Sequence, residues 1–325
     1  LRQTQDVMLR NTAQAALRGF ATWWMDLPGL GWFDDSRIWD VLERLRPVDE
    51  AMLERERPFT PQIAAIVGED SMCHLAAGGN AVSRPLVYQA RGVLGRVGAP
   101  YGQYMLRDAV AGDVPAKLQV YLSAWSLDNG TREQLQANRA TDVTRVWCYA
   151  PGWLTEQGPS LQAMTDLTGF TFRRVSPDTA QVTPTAAGAA LGLDEQWGPE
   201  SAIGPLFAVE AGPEETLATW EDGSPAVALR RSDRGLDAFV GVPQLTPELL
   251  RALARSAGVH LFAEEDAAVW AAEPYLSVHA MTDGPLALNT GRAGPVVDAL
   301  DGSPIGEGPQ VSLQIRRGET RVLRY

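Results

Sequence analysis

The chain has 325 residues, enough for roughly two domains with cores of their own. Its 28 Lys+Arg against 40 Asp+Glu give a net charge of −12, which repels phosphate backbones and anionic bilayers and argues against nucleic-acid or membrane partners. Hydrophobic residues at 45% and charged residues at 21% are the proportions of a globular protein, and two cysteines, Cys73 and Cys148, exclude a disulfide-dense scaffold and any CxxC site.

The first predicted element is an amphipathic helix from Thr4 to Arg18, with Val7, Ala13, Ala16 and Leu17 on one face and Gly19 as its stop. No signal peptide or natural start precedes it, so the chain is read as incomplete, and the cysteine usage favours a reducing, cytoplasmic setting. Phe20 to Met25 is a short aromatic run ahead of Asp26-Leu27-Pro28-Gly29 and reads as a buried strand. Asp34 or Asp35 then caps a helix with the stripe Ile38, Val41, Leu42, Leu45, Val48 and Met52, kinked or restarted at Pro47. The charged, proline-bounded stretch Arg55 to Pro61 marks a domain boundary near residue 58.

Beyond it, Gln62–Val67, Gln103–Leu106, Leu118–Trp125 and Arg145–Tyr149 are strand-like, with helical patterns at Ser83–Val97 and Arg132–Arg139 between some of them. Strands alternating with helices predict a parallel sheet wound with helices. Pro205–Glu210, Pro225–Arg230, Leu236–Val242 and Val259–Phe262 continue the strand pattern around a helix, Thr246–Ala257, capped by Thr246. From about Trp270 the chain becomes all-β: Tyr275–Ala280, Pro285–Asn289, Pro295–Leu300, Gln310–Ile315 and Arg321–Tyr325. Alternation at Val311, Leu313 and Ile315, then a turn at Arg317-Gly318-Glu319, reads as a closing hairpin. The longest uncharged stretch, Thr179–Leu193, is too short and too polar to span a bilayer.

The densest chemical signal is Trp23-Trp24-Met25-Asp26 through Trp32-Phe33-Asp34-Asp35. Along a strand Trp23 and Trp24 point to opposite faces, so one can face a pocket, where aromatic faces suit sugar C–H faces and Asp26 can accept from hydroxyls. The plain alternative packs both tryptophans between strand and helices and leaves Asp26 to cap a turn. Cys148, with His260, Glu264 and Glu265, has the residue types of an amidotransferase-like triad, but Trp147, Tyr149 and Pro151 crowd it and favour an inert buried thiol. Cys73-His74 is a similarly weak pair. The three histidines and two cysteines show no ligand spacing, and no phosphate-cradling loop occurs, so neither metal nor cofactor is assigned. Asn129-Gly130-Thr131 matches a glycosylation sequon but reads as a surface turn.

Taken together, GFATWWMDLPGLGWFDDSRIWDVLERLRP, PQIAAIVGEDSMCHL, GAPYGQYMLRD, VPAKLQVYLSAW, RVWCYAPGW, GVHLFAEEDAAVWA and the tail ending RRGETRVLRY resemble the back half of family 42 β-galactosidases. The resemblance implies an α/β fold class with three parts. Residues 1–57 would be the end of a (β/α)8 barrel, and residues 58–269 a flavodoxin-like or amidotransferase-like doubly wound domain used in trimerisation. Residues 270–325 would be a small antiparallel β-sandwich. It also implies retaining glycoside hydrolysis in the intact enzyme by two Glu residues about 5 to 5.5 Å apart. The acid/base in such enzymes sits in an Asn-Glu pair, and none of the five asparagines here is followed by Glu. No catalytic residue is therefore expected in this chain. Trp23, Trp24, Asp26 and Trp32 are the candidate substrate-binding residues, at the active-site end of the eighth barrel strand. The implied partners are a carbohydrate substrate and further copies of the chain in a trimer. The alternatives are a stand-alone oligomerisation or carbohydrate-binding module and, more remotely, a Cys-dependent amidotransferase-like hydrolase.

Overall fold

A computed structural model describes residues 1–55, 59–75, 80–233 and 235–325. The chain divides into two compact units. One gathers Leu1–Thr60, Gly95–Pro100 and His260–Tyr325, and the other Pro61–Leu94 and Tyr101–Val259. The boundary expected near residue 58 lies outside the described residues.

The first unit opens with two helices, α1 (Arg2–Leu17) and α2 (Ser36–Leu53), packed on each other. Gly19, at φ +76°, ends α1 in a Schellman arrangement, with Gly19 N–H donating to Ala16 O at 2.9 Å and Phe20 N–H to Ala15 O at 2.8 Å. Asp35 caps α2 by accepting from Arg37 N–H at 3.0 Å, and α2 runs unbroken through Pro47.

The second unit is built on an eight-stranded sheet. Its strands are β1 (Ile63–Val67), β2 (Tyr101–Met105), β3 (Leu118–Tyr121), β4 (Thr144–Cys148), β5 (Thr183–Pro184), β6 (Thr216–Thr219), β7 (Pro225–Ser232) and β8 (Gly235–Val240). The order across the sheet is β2-β1-β3-β4-β8-β7-β6-β5. The first five of these are parallel to their neighbours, and β7, β6 and β5 continue antiparallel. Ile63, Ala64, Ala65 and Ile66 are all buried, as an unbroken apolar run demands of a parallel strand covered on both faces. On one face Ala64, Ile66, Tyr121 and Trp147 form a core with Leu135 and Leu167, the Tyr121 and Trp147 rings stacked 4.3 Å apart. The chain passes from β1 to β2 on one side and returns to β3 on the other, so the order reverses between β1 and β3. There Gly68 N–H donates to Ser123 Oγ at 3.0 Å, and a Cβ on Gly68 would stand 2.5 Å from Ser123 O. Only glycine permits that approach.

The first unit closes with an antiparallel sheet of β9 (Ala267–Ala272), β10 (Tyr275–Ala280), β11 (Gly284–Asp298), β12 (Pro304–Ile315) and β13 (Thr320–Arg324), in the order β9-β10-β13-β11-β12. Val311, Leu313 and Ile315 alternate inward with Leu286, Leu288, Val278 and Leu323. Helix α1 packs on this sheet. Asp6 Oδ1 accepts from Thr320 N–H at 2.9 Å, Thr320 Oγ donates to Asp6 O at 2.6 Å, and His279 Nδ1 lies 2.9 Å from Thr320 Oγ. Because the Thr320 hydroxyl proton is already committed, His279 carries its hydrogen on Nδ1.

Four expectations need correction. Phe20–Met25 forms no strand and pairs with none among the described residues, and most of its side chains are exposed rather than buried, because a single strand without a ladder is not a stable sheet element. Val259–Phe262 is not a strand, because Val259 N–H is taken by Ala254 O at 2.9 Å where the helix Pro247–Ser256 ends. The closing hairpin does not form: β13 pairs with β10 and with the end of β11, which lies between it and β12. The helix expected over Ser83–Val97 is a helical turn to Ser83, a π-helical turn Arg84–Tyr88 and a short helix Ala90–Leu94. Pro85 is the reason, since it offers no N–H and its ring clashes with the carbonyl four residues earlier in a regular helix.

Candidate functional site

The segment between α1 and α2, residues 18–35, carries all four candidate substrate-binding residues. It is held at both ends, by the Schellman stop at Gly19 and by the Asp35 cap. The Arg37 guanidinium hydrogen-bonded to Asp35 holds that carboxyl down to about 2, so the cap stays ionised. Inside the segment two turns follow each other, Gly29 N–H donating to Asp26 O and Asp34 N–H to Gly31 O, each at 3.1 Å. Gly29 and Gly31 adopt positive φ there, which only glycine does without strain.

Asp26 organises these turns. Its Oδ2 accepts from Gly31 N–H at 2.5 Å and from Trp32 N–H at 3.1 Å. Desolvation pushes its carboxyl up, but the N–H groups of Trp32, Gly31, Leu30 and Gly29 together outweigh it and hold the group below the usual carboxylate range. One oxygen is thus committed to the loop's own backbone.

The aromatic residues separate into two sets. Trp24 packs edge-on to Phe33 with centroids 5.8 Å apart, and Phe33 meets Trp39 of α2 at 6.3 Å, while Trp39 Nε1–H donates to Phe33 O at 2.8 Å. Trp23 and Trp32 stand outward, 72% and 56% exposed, with Phe20, Met25, Leu27 and Leu30 exposed beside them in sequence. So many outward apolar side chains on one short loop exceed the scatter normal on a soluble surface and mark a face that receives something. The ring faces of Trp23 and Trp32 are open to solvent, while Trp24 and Asp26 hold the loop behind them. Trp39 lies outside the aromatic block of residues 23–35, and its signal is its place directly after the buried Ile38, off the apolar face of α2, which points to a contact beyond the helix, here with Phe33.

The other candidates are structural. Cys148 ends β4 fully buried, and desolvation pushes its thiol far up, away from the thiolate a nucleophile needs. His260 lies with its Nε2 2.9 Å from Asn289 O in the first unit. Asn129-Gly130-Thr131 opens the helix Asn129–Ala137, capped by Asp128, which accepts from Thr131 N–H. Among the described residues no group of three His, Cys, Asp or Glu side chains could hold a metal ion, and no helix is long and apolar enough to cross a membrane.

No family model matches this sequence, and no curated protein does. Solved structures do. The β-galactosidase from Bacillus circulans sp. alkalophilus superposes with a TM-score of 0.61 at 12% identity, covering 89% of this chain and 45% of that one. A catalytic mutant of a GH42 β-galactosidase from G. stearothermophilus gives 0.61 at 16% identity, over 89% and 44%. The cold-adapted β-galactosidase from Rahnella sp. R3 gives 0.58 at 14%, over 89% and 44%. The chain therefore shares the fold of part of GH42 β-galactosidases and spans less than half of their length.

Proposed function

We propose that this chain is the C-terminal portion of a glycoside hydrolase similar to the GH42 β-galactosidases, acting on carbohydrate by retaining hydrolysis. The observation that carries the reading is the pairing of coverages: 89% of this chain matches only 44 to 45% of each neighbour. On this reading residues 1–57 complete a (β/α)8 barrel, and residues 20–25 become its last strand once neighbouring strands supply a ladder. The exposed aromatic face of the segment supports this, since a barrel strand buries its side chains against helices and interior alike. Trp23, Trp24, Asp26 and Trp32 then form part of the sugar-site wall, while both catalytic carboxylates come from sequence ahead of Leu1. Residues 58–269 serve assembly into a trimer, and residues 270–325 form the terminal β domain.

The test is hydrolysis of aryl β-galactosides by this chain alone and by a form extended to a natural start. The expected result is activity only in the extended form, with the β anomer released first by NMR and a trimeric native mass. Activity in the short chain, or first release of the α anomer, would sink the reading.

A further inference from the structure

The second unit contains a cavity of about 640 Å³ that the proposed glycosidase role does not use. It lies on the sheet face beneath the segment 83–94, across Gln103 of β2, Ala65 and Val67 of β1 and Leu122 at the exit from β3, and so borders the point where the strand order reverses. In open sheets with parallel strands this crevice is where ligands bind, because the loops at the strand ends diverge there. Its volume is within the range of small-molecule sites.

The lining has a definite chemistry. Buried Ala65, Leu94 and Leu122 form an apolar floor, with Val67 and Val87 beside them. At the mouth stand Arg84, Tyr88 and Arg91, all exposed and spaced at i, i+4 and i+7 along the helical segment. The Arg91 guanidinium stacks 4.3 Å from the centroid of the Tyr88 ring and its Nε–H donates to Tyr88 O at 3.1 Å. The Arg84 guanidinium has no partner among the described residues. No described acidic side chain lines the cavity, although the protein carries a net charge of −12. The π-helical turn is part of the same wall: Gln89 N–H reaches back to Arg84 O at 2.9 Å, and such turns recur at binding sites because they re-aim side chains that a regular helix would place elsewhere.

We propose that this cavity binds a small organic anion with a flat apolar body, its carboxylate, sulfonate or phosphate held by Arg84 and Arg91 at the mouth and its body on the Ala65–Leu122 floor. Guanidinium groups suit such anions because their planar N–H fork matches the oxygens and one face remains free to stack. A neutral sugar fits poorly, because Ser83 and Gln103 are the neutral polar side chains on a lining that is otherwise apolar or cationic, too few to pair its hydroxyls over the apolar floor. The site is thus independent of the carbohydrate reading.

The experiment is fluorescence titration of the whole chain with 8-anilinonaphthalene-1-sulfonate, beside the uncharged N-phenyl-1-naphthylamine. One saturable sulfonate site per chain is expected, with the neutral dye at least tenfold weaker. Arg84→Gln with Arg91→Gln, both at exposed positions, should weaken the sulfonate at least tenfold and leave the neutral dye unchanged. Val87→Trp should remove binding by filling the cavity from its wall. Phe20→Ser with Leu27→Ser and Leu30→Ser should leave the affinity within twofold, which separates this cavity from the exposed segment of the first unit. Competition by 1-naphthoate against 1-naphthyl phosphate then tells which anion is preferred. Equal binding of the two dyes, indifference to the double Gln variant, loss in the triple Ser variant, or no saturable site would each overturn the proposal.

Discussion

Trp23→Ala separates an exposed loop from the strand of a larger barrel. A tryptophan side chain offers roughly 200 Å² to burial. At 72% exposure Trp23 removes only about 55 Å² from water in this chain. At about 25 cal/mol per Å² the substitution costs at most about 1.4 kcal/mol, an upper bound because the unfolded chain already buries part of that area. Leu45, fully buried on the inner face of α2, supplies an internal standard: Leu45→Ala should cost about 3 to 5 kcal/mol. Urea unfolding followed by helical circular dichroism reads both in the same unit. If the upstream strands cover residues 20–25 in the extended enzyme, the same Trp23→Ala change there enters the buried-aromatic range of about 3 to 5 kcal/mol, read as a lower urea midpoint for activity. A cost near that range in the short chain would show the ring already buried and refute the exposed geometry. A cost below about 1.4 kcal/mol in the extended enzyme would refute the barrel-strand reading.

Two further outcomes follow from buried groups. Desolvation, with the Arg10 charge nearby, holds His279 down at about 4 against an ordinary value near 6.5, so the unfolded chain binds the extra proton first. The stability this neutral imidazole contributes is whole above pH 6.5 and is lost as pH falls toward 4. Asp6, whose carboxyl burial holds above its usual value, works in the opposite sense at the acid end. Denaturation midpoints that fall between pH 6.5 and 4, and lose that slope in His279→Gln, would bear this out, and an NMR titration of His279 centred near 6.5 would contradict it. For the thiols, exposed Cys73 should react with a maleimide in the native protein while buried Cys148 reacts only after unfolding. Two fast thiols per native chain would reopen the nucleophile role of Cys148.

The parts of this fold that were legible in the sequence are those where local pattern and tertiary demand agree. The run Ile63–Val67 is apolar throughout because both faces of β1 are covered, and Thr246 precedes a strongly amphipathic helix because its hydroxyl accepts from Leu249 N–H at 3.2 Å. The strand misreadings share a cause, which is that strand propensity carries no information about a partner. Phe20–Met25 has the composition of a strand and no ladder, whereas β11 runs over Gly284–Asp298 despite its glycines and two prolines because β12 pairs with it on both sides of an irregularity between Asn289 and Gly294. Ala267–Ala272 was passed over for the opposite reason, since its alanines have weak strand propensity and are fixed by pairing with β10. The cavity was invisible because Arg84, Tyr88 and Arg91 read as an ordinary solvated helix face, and only the reversal of strand order beneath them makes a crevice.

The geometry of the α1–α2 segment bears on how a sugar wall could work. An apolar loop that merely lacked a core would be expected to stay mobile, since each ordered residue costs about 1 to 2 kcal/mol of backbone entropy. This one is tied at Gly19 and Asp35, pinned internally by Asp26, and backed by the Trp24–Phe33–Trp39 edge contacts. Helix α1, which carries its first end, is itself fixed to the β-sheet through Asp6, Thr320 and His279. Contacts behind the loop therefore offset the ordering cost, and the outward face of Trp32 is pre-set before anything binds. Recognition on a pre-set face loses less entropy than recognition that must order the loop first. On the proposed reading Asp26 holds the wall in place and Trp32 supplies its stacking surface, while Trp23 is covered once the upstream strands pair with residues 20–25.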